Sequence, residues 1–227
     1  MRGYWSRRLL RHGLLAAGAV AVTAVLFALQ HQPRPVVRLS MGTAYAALLL
    51  LGASLVIGPL QVLRGGPNPV STDLRRDVGI WAAIFALLHT IFGLQVHMGG
   101  RFWLYFLYPR GQAHSIPIRI DRFGVENYSG LGATLLLLVL LAISSDVALR
   151  RLGAARWKAL QRWSYGAAIL TLVHSVLYMA PEKGHLPFEV AFGVVAVATL
   201  LLQLGGFRLV RRQKALRTGR SRSATAA

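Results

Sequence analysis

The sequence has no cysteine, few acidic residues and no stretch in which polar and apolar positions alternate. Without cysteine it forms no disulfides, thiolate metal sites or iron–sulfur clusters, and without alternation it lacks membrane β-barrel strands. Among 227 residues, 7 Asp and Glu stand against 26 Lys and Arg, so the formal net charge is +19. Such a basic balance is typical of nucleic-acid binders or of membrane proteins, and the positions of the charges decide between them.

The charges fall between long apolar segments. Hydrophobic residues make up 55% of the chain and its mean hydropathy is +0.50, which excludes a disordered chain and argues against a soluble globular one. Six uncharged intervals of 18 to 25 residues cover 12–33, 39–63, 78–100, 127–145, 163–181 and 190–207. Because a helix needs about 20 apolar residues to cross about 30 Å of hydrocarbon, we predict an all-α membrane protein with a six-transmembrane-helix bundle.

The helices and the distribution of charge define the predicted topology. We place the helices at about 13–30, 43–63, 78–97, 130–149, 163–180 and 188–207, so that residues 1–207 form one domain. The alternating connections divide the Lys and Arg residues 19 to 7, which puts both termini in the cytoplasm of a multi-pass protein of the inner or plasma membrane. Residues 208–227 are predicted to be a basic, disordered cytoplasmic tail. Topology and attraction to anionic membrane lipid explain the charge, so nucleic acid is not an expected partner.

Two histidines within the predicted spans are the candidate ligands. His89 lies 13 residues beyond Arg76 and His174 lies 12 residues beyond Arg162, on helices that start from the same side. At a rise of 1.5 Å per residue, both are roughly 18–20 Å deep. Neutral imidazoles bind haem iron, zinc or copper, and haem needs only two axial ligands. We expect no carboxylate at that depth to complete a zinc site. The spacing leaves two interpretations open, an axial haem pair and a pair of hydrogen-bonded core histidines.

Other residues are weaker candidates. His97 is an alternative haem ligand or propionate contact, although an interfacial histidine exposed to water is the simpler explanation. Arg101 and Arg119 are candidate propionate partners because Arg binds carboxylates in a bidentate manner. The aromatic loop 98–129 is either an interfacial belt or a dock for an electron acceptor. No catalytic residues are predicted, since the chain has no Ser–His–Asp arrangement, paired carboxylates, phosphate loop or dinucleotide fingerprint.

Three segments carry a resemblance to a known family. LRRDVGIWAAIFALLH (74–89) resembles the signature of the ferric-reductase-like transmembrane family. SGLGATLLLLVLLAISSDVALRRLGAARWKALQRWSYGAAILTLVH (129–174) resembles the YedZ/MsrQ branch of that family. GASLVIGPLQVLRG (52–65) is similar to the second helix of the branch. The resemblance covers roughly residues 43–97 and 129–207, and it implies a six-helix membrane protein that binds b-type haem.

The resemblance implies that His89 and His174 are the axial ligands of one haem b. The branch usually has a further histidine at the position of Gln161, and glutamine is a poor ligand for haem iron. We therefore expect one haem rather than two. A quinol from the membrane suits a single haem as electron donor better than a cytosolic flavin reductase, and the sequence does not indicate bound FMN.

The expected function is electron transfer as an oxidoreductase subunit, whether or not the chain itself has enzymatic activity. The branch implies an extracytoplasmic acceptor, a molybdenum-cofactor methionine sulfoxide reductase, and the wider family implies ferric iron. The alternative is a non-redox transporter, or an assembly or scaffold subunit that has lost haem. The position of Pro59 near a helix end and the expected lack of an intramembrane acid argue against a transporter.

Overall fold

The structure is a computed structural model that describes residues 2–65, 73–111, 116–179 and 186–225. Over these described residues, seven α-helices account for most of the structure, and two short 3₁₀ turns, Met98–Gly100 and Phe102–Tyr105, lie between the third and the fourth helix. The helices are α1 (Arg2–Leu29), α2 (Pro35–Leu63), α3 (Asp73–Gly93), α4 (Arg122–Ala142), α5 (Asp146–Gln161), α6 (Trp163–Met179) and α7 (Leu186–Thr225). Within these ranges, the single β-bridge joins Leu107 to Ile118.

In the part of the chain that the structure describes, five helices are long and apolar enough to cross a membrane, so the protein is a multi-pass membrane protein. They are α1, α2, α3, α4 and the part of α7 at Glu189–Arg212. The prediction named six spans. The sixth corresponds to α6, whose 17 residues rise about 26 Å, slightly less than the roughly 30 Å of the hydrocarbon layer.

The segment 146–161 differs from the predicted helix 130–149 and loop 150–162. Here α4 ends at Ala142, and α5 forms a separate helix. The side chain of Ser145 caps α5 by accepting a hydrogen bond from the backbone N–H of Ala148 at 3.1 Å. The Nε1–H of Trp157 donates to the carbonyl of Ile143 at 3.0 Å and holds α5 against the preceding turn. The sequence pattern missed α5 because we assigned its many basic residues to a loop.

The structure differs from the prediction of a disordered tail over 208–227. Residues 208–225 continue α7 as far as Thr225, while 226–227 lie outside the described residues. The segment 208–217 is rich in Arg, Lys, Leu, Gln and Ala, which have high helix propensity. The preceding membrane helix also provides the nucleus, so the extension avoids the costly first turn.

α2 is the central helix of the bundle. It packs against α1, α3 and α7, while α4 packs against α3 and α6. The core where these helices meet combines small and large apolar side chains: Leu51, Leu55, Ala82, Ala83, Ala86, Leu137 and Ala167. The alanines let the helix backbones approach closely, as is usual where helices associate in a membrane.

A proline in α2 is compensated by a polar side chain of α7. Pro59 has no N–H, so the carbonyl of Leu55 loses its donor within the helix. The Nε2 of Gln203 donates to that carbonyl at 2.5 Å. Gly206 lies so close that a Cβ there would be 2.8 Å from the Pro59 Cβ. Gln203 thus gives the freed carbonyl the partner that hydrocarbon cannot supply.

We expect Gln203→Leu to destabilise the bundle by about 1 kcal/mol, the scale of a side-chain hydrogen bond in membrane proteins. Pro59→Ala restores an N–H for the Leu55 carbonyl, so the same Gln203→Leu change should cost less in the Pro59→Ala background. A double-mutant cycle of detergent-denaturant unfolding measures this coupling. Equal costs in the two backgrounds would contradict the assignment.

Ion pairs join the helices at one end of the bundle, which we call the basic end and which contains the first turns of α1, α3 and α5. The fully buried carboxylate of Asp77 lies 3.0 Å from Arg8, 3.4 Å from Arg11 and 3.3 Å from His12. Arg76 pairs with Asp146 at 2.5 Å and with Asp73 at 3.1 Å. These contacts fix α1 and α5 to the start of α3.

The hydrogen bond from Arg76 lowers the pKa of Asp146 below its usual value. A lowered pKa in the folded state means that the pair stabilises the fold above the unfolded pKa of about 4. This contribution is lost as the pH falls through the folded pKa. Because Asp146 is half exposed, it amounts to at most about 1 kcal/mol.

We expect Asp146→Asn to lower the unfolding temperature at pH 7 and to have a smaller effect at pH 3. The measurement is thermal unfolding in detergent at both values, with wild type and variant side by side. A difference that grows on acidification would show that the Arg76–Asp146 pair is not its source.

Candidate functional site

A cavity of about 410 Å³ opens among α2, α3, α4 and α6, at the end of the bundle opposite the basic end. Small residues on these helices leave room for it, and most of its wall is apolar. Lining residues include Ala44, Ala47, Ala86, Gly93, Gly130, Ala133, Thr134, Thr171 and Phe192. A concave, largely apolar space with a few polar groups is the usual form of a cofactor site.

His89 and His174 both line this cavity and face one another across it. Their ring centroids are 6.0 Å apart, and the ring planes are inclined at 64°. His89 lies four residues before the end of α3 at Gly93, and His174 lies five before the end of α6 at Met179. Because α3 ends at Gly93 rather than at 97, the pair lies about 6–8 Å from these helix ends, nearer to them than we predicted. The matched level of the two rings agrees with the sequence spacing.

Backbone carbonyls orient the two imidazole rings. The Nδ1 of His89 lies 2.9 Å from the carbonyl oxygen of Ser40, and the Nδ1 of His174 lies 2.7 Å from that of Glu126. A carbonyl only accepts, so we assign the proton of each ring to Nδ1. In the described part of the chain, neither Nε2 makes a hydrogen bond. Each ring therefore keeps an unprotonated Nε2, as metal-binding histidines do.

The pair by itself cannot complete a site for a bare metal ion. Over the described ranges, no group of three or more His, Asp or Glu side chains lies close enough to hold one. Two imidazoles leave a zinc ion two ligands short, whereas they supply both axial ligands of a metalloporphyrin. The geometry therefore favours a prosthetic group that brings its own equatorial ligands.

A glycine on α4 creates the space that His174 occupies. A Cβ at Gly130 would lie 2.7 Å from the Nδ1 and 2.9 Å from the Cε1 of His174. The neighbouring Gly132 is less restricted, because a Cβ there would meet only the flexible end of Leu170 at 3.3 Å. Gly130 is thus required for the hydrogen bond between His174 and α4.

His97 lies in the wall of the same cavity but is already engaged. Its Nε2 is 2.6 Å from the hydroxyl of Tyr178, and its backbone N–H donates to the hydroxyl of Tyr105 at 2.8 Å. Tyr105 in turn donates to the carbonyl of Gly93 at 2.9 Å, and burial raises the pKa of its phenol. These contacts hold the segment after α3 over the cavity.

The two arginines singled out from the sequence lie away from the cavity. Arg119 pairs with Asp121 at 3.1 Å and donates to the carbonyl of Leu104 at 2.9 Å. Arg101 is exposed and donates to the carbonyl of Met98. Neither is among the residues that line the cavity.

Sequence reasoning missed Arg34. It directly precedes α2 and lines the cavity, and its guanidinium donates to the carbonyls of Val96 at 2.7 Å and Gln95 at 3.2 Å. The signal in the sequence is its place between Pro33 and Pro35, where Pro35 opens α2. That place fixes the arginine at the mouth of the cavity.

Acidic residues also lie closer to the site than we predicted. Glu189 lines the cavity, and Glu126 is buried on α4 at the level of His174. The expectation of no acid at this depth is therefore wrong. Glu126 directly precedes the uncharged interval 127–145, and Glu189 directly precedes the interval 190–207. The intervals that define the predicted spans therefore do not include them.

Comparison with known proteins identifies the family. Residues 41–172 match the profile of the family described as ferric reductase like transmembrane component. The chain belongs to this family. The matched residues include His89 and Gln161 and end two residues before His174.

Similar proteins from three organisms share one name. The chain is 30% identical over 172 residues to the protein-methionine-sulfoxide reductase heme-binding subunit MsrQ of Pectobacterium atrosepticum, covering 73% of this chain and 75% of that one. It is 36% identical over 143 residues to the protein of that name from Deinococcus radiodurans, covering 62% of each chain. The corresponding protein of Yersinia pseudotuberculosis is 29% identical over 163 residues, 71% of each chain. The resemblance to the YedZ/MsrQ branch is confirmed. No solved structure matches the chain.

We expect Gly130→Ala to displace the ring of His174 and to break its hydrogen bond to Glu126. The unfolding temperature should fall by several degrees, because overpacking costs about 1–3 kcal/mol. Histidine side-chain ¹⁵N NMR should also lose the hydrogen-bonded Nδ1–H signal of His174. Gly132→Ala is the matched control on the same helix and should leave that signal unchanged. The same NMR spectrum for both variants would refute the role of Gly130.

Proposed function

We propose that this ferric-reductase-like protein is an electron-transfer subunit that holds one b-type haem between His89 and His174. The distance between the two rings carries the proposal. Imidazoles on opposite faces of one metal have ring centroids about 6 Å apart, since each metal–nitrogen bond is about 2 Å long. The observed separation of 6.0 Å agrees with this value. The heme-binding name of the relatives supports the same assignment.

The residues around the rings fit such a group. The carbonyls of Ser40 and Glu126 accept hydrogen bonds from the Nδ1–H of His89 and of His174, respectively. These bonds keep each Nε2 basic and limit rotation of the ring. The small residues Ala86 and Gly130 leave space beside the rings. When bound, haem supplies a one-electron couple at its iron. The apolar lining would keep water away from the bound group.

Arg34 is the proposed partner of the haem carboxylates, in place of Arg101 and Arg119. It lines the cavity, and two of its five N–H donors are used by the carbonyls of Val96 and Gln95. The remaining donors suit a carboxylate, which arginine binds strongly. His97 then acts as a wall residue held by Tyr178, rather than as an alternative ligand.

The proposed topology has six spans with both termini in the cytoplasm. α6 contains no charged residue between Trp163 and Met179 and packs along α4, so it runs through the same layer despite its length. With the basic end facing the cytoplasm, as the excess of Lys and Arg there requires, the histidine pair lies near the outer face. This topology suits the inner or plasma membrane.

This position suggests where electrons enter and leave. The path to the basic end is about 20 Å along α3, whereas the outer helix ends are about 6–8 Å away. A quinol from the membrane is therefore favoured as donor over a cytosolic flavin reductase, and bound FMN is not part of the proposal. The acceptor lies outside the cytoplasm. The name of the relatives favours a methionine sulfoxide reductase, and the family name makes ferric iron the second candidate.

We expect a dithionite-reduced minus oxidised spectrum and a pyridine haemochrome assay to give one b-type haem per chain. His89→Ala and His174→Ala should each abolish the haem, because an axial ligand is lost. His97→Ala should retain it. The matched control is His31→Ala, since His31 is exposed and lies outside the cavity lining.

The other outcomes are equally decisive. Two haems per chain would show that another ligand replaces the histidine missing at Gln161. A pigment-free protein after expression with ample haem would overturn the proposal and favour the transporter or scaffold alternative.

A further inference from the structure

A second cavity, of about 220 Å³, lies at the basic end of the bundle. Residues of α2 to α6 line it, and Leu51 and Leu137 separate it from the histidine cavity because they line both. Gln161, the residue at the position where the branch usually has a histidine, is part of its wall. The cavity is therefore distinct from the proposed haem site.

Three buried hydrogen-bonding atoms without a partner converge on this cavity. They are the Nε of Arg76, the Nε2 of Gln161 and the Oγ of Ser164. The side chain of Arg76 is only 5% exposed, and its ion pairs with Asp73 and Asp146 hold it in place. Buried donors normally have a partner, so three together indicate that the cavity receives a group rich in acceptors.

The charge of the cavity points to an anion. Lys158 and Arg162 also line it, and the side chain of neither forms an ion pair or a hydrogen bond with any residue that the structure describes. No Asp or Glu is among the residues that line it. Two cationic side chains without partners and three buried unpaired groups therefore surround the cavity. Its potential is positive, and few hydrogen-bond acceptors line it.

The fold brings these groups together from three helices. Trp157 fixes α5 by its hydrogen bond to Ile143, and Lys158, Gln161 and Arg162 follow at helical spacing. Arg76 projects from α3 and Ser164 from the start of α6. Donors that converge from several directions suit a tetrahedral oxyanion better than a planar carboxylate.

We propose that this cavity is a binding site for a phosphate group, either that of an anionic lipid headgroup or free phosphate. Arg76, Gln161 and Ser164 hold the oxygens by hydrogen bonds, and Lys158 and Arg162 balance the charge. The site lies at the cytoplasmic end in the proposed topology, where anionic headgroups concentrate. It does not depend on haem, so the protein with or without pigment serves for the test.

The first test is thermal unfolding of delipidated protein in a neutral detergent, titrated with inorganic phosphate against chloride at constant ionic strength. Saturable stabilisation by phosphate is expected for wild type, because a ligand that binds only the folded state stabilises it. Lys158→Gln with Arg162→Gln should weaken it by about tenfold or more, the scale of lost charged hydrogen bonds. The matched control, Arg150→Gln with Arg151→Gln, removes the same charge from α5 outside the cavity.

The second test identifies the source of the phosphate. Native mass spectrometry after exchange into phosphatidylglycerol or phosphatidylcholine should show phosphatidylglycerol retained by wild type and by the control pair. Loss from the Lys158/Arg162 pair assigns a lipid headgroup, and a response to inorganic phosphate alone assigns free phosphate.

Three results would overturn the proposal. One is the absence of both effects in wild type, and another is an equal loss in the two double variants. The third comes from Ser164→Ala and Gln161→Leu, which remove only neutral groups. If both variants bind phosphate and lipid as wild type does, these buried atoms are not part of a site.

Discussion

The structure depends on one constraint, that a polar group inside a hydrocarbon layer must find its partner within the protein. Backbone carbonyls supply many of these partners. Those of Ser40 and Glu126 hold the rings of His89 and His174, and that of Leu55, freed by Pro59, receives Gln203. The same hydrogen bonds that satisfy the imidazole N–H groups also leave each Nε2 unprotonated. The same two hydrogen bonds therefore stabilise the fold and leave each ring able to bind a metal.

The two ends of the bundle solve this constraint in opposite ways. At the end opposite the basic end, an apolar cavity presents two basic nitrogens, which suits a flat cofactor with its own equatorial ligands. At the basic end, Asp77 and Asp146 neutralise part of the positive charge. The smaller cavity there is lined by cationic side chains and by hydrogen-bond donors that lack acceptors. Gln161 belongs to this second cavity. In the proposed assignment, glutamine in place of the branch's usual histidine offers an amide N–H₂ donor, which suits an anion rather than a metal.

Several errors of the sequence prediction have a common cause, which is that uncharged intervals mark apolar length and not helix ends. The helix α3 begins at Asp73 and ends at Gly93, α5 forms within a segment assigned to a loop, and α7 continues to Thr225. Caps such as Ser145, and contacts such as that of Trp157 with Ile143, set these limits. The acids Glu126 and Glu189 were missed because they flank the intervals that define the spans.

The sequence by itself determined the class of protein, the approximate positions of five membrane segments, the family and the two histidines at matched depth, because hydropathy, charge and helical rise are properties of the local chain. The tertiary structure decided what surrounds them. The close approach of α4 at Gly130, the choice of Ser40 and Glu126 as carbonyl partners, and the placing of Arg34 at the cavity all depend on which helices pack together. So does the meeting of Arg76, Gln161 and Ser164, which lie far apart along the chain and share a cavity only after α3, α5 and α6 have docked.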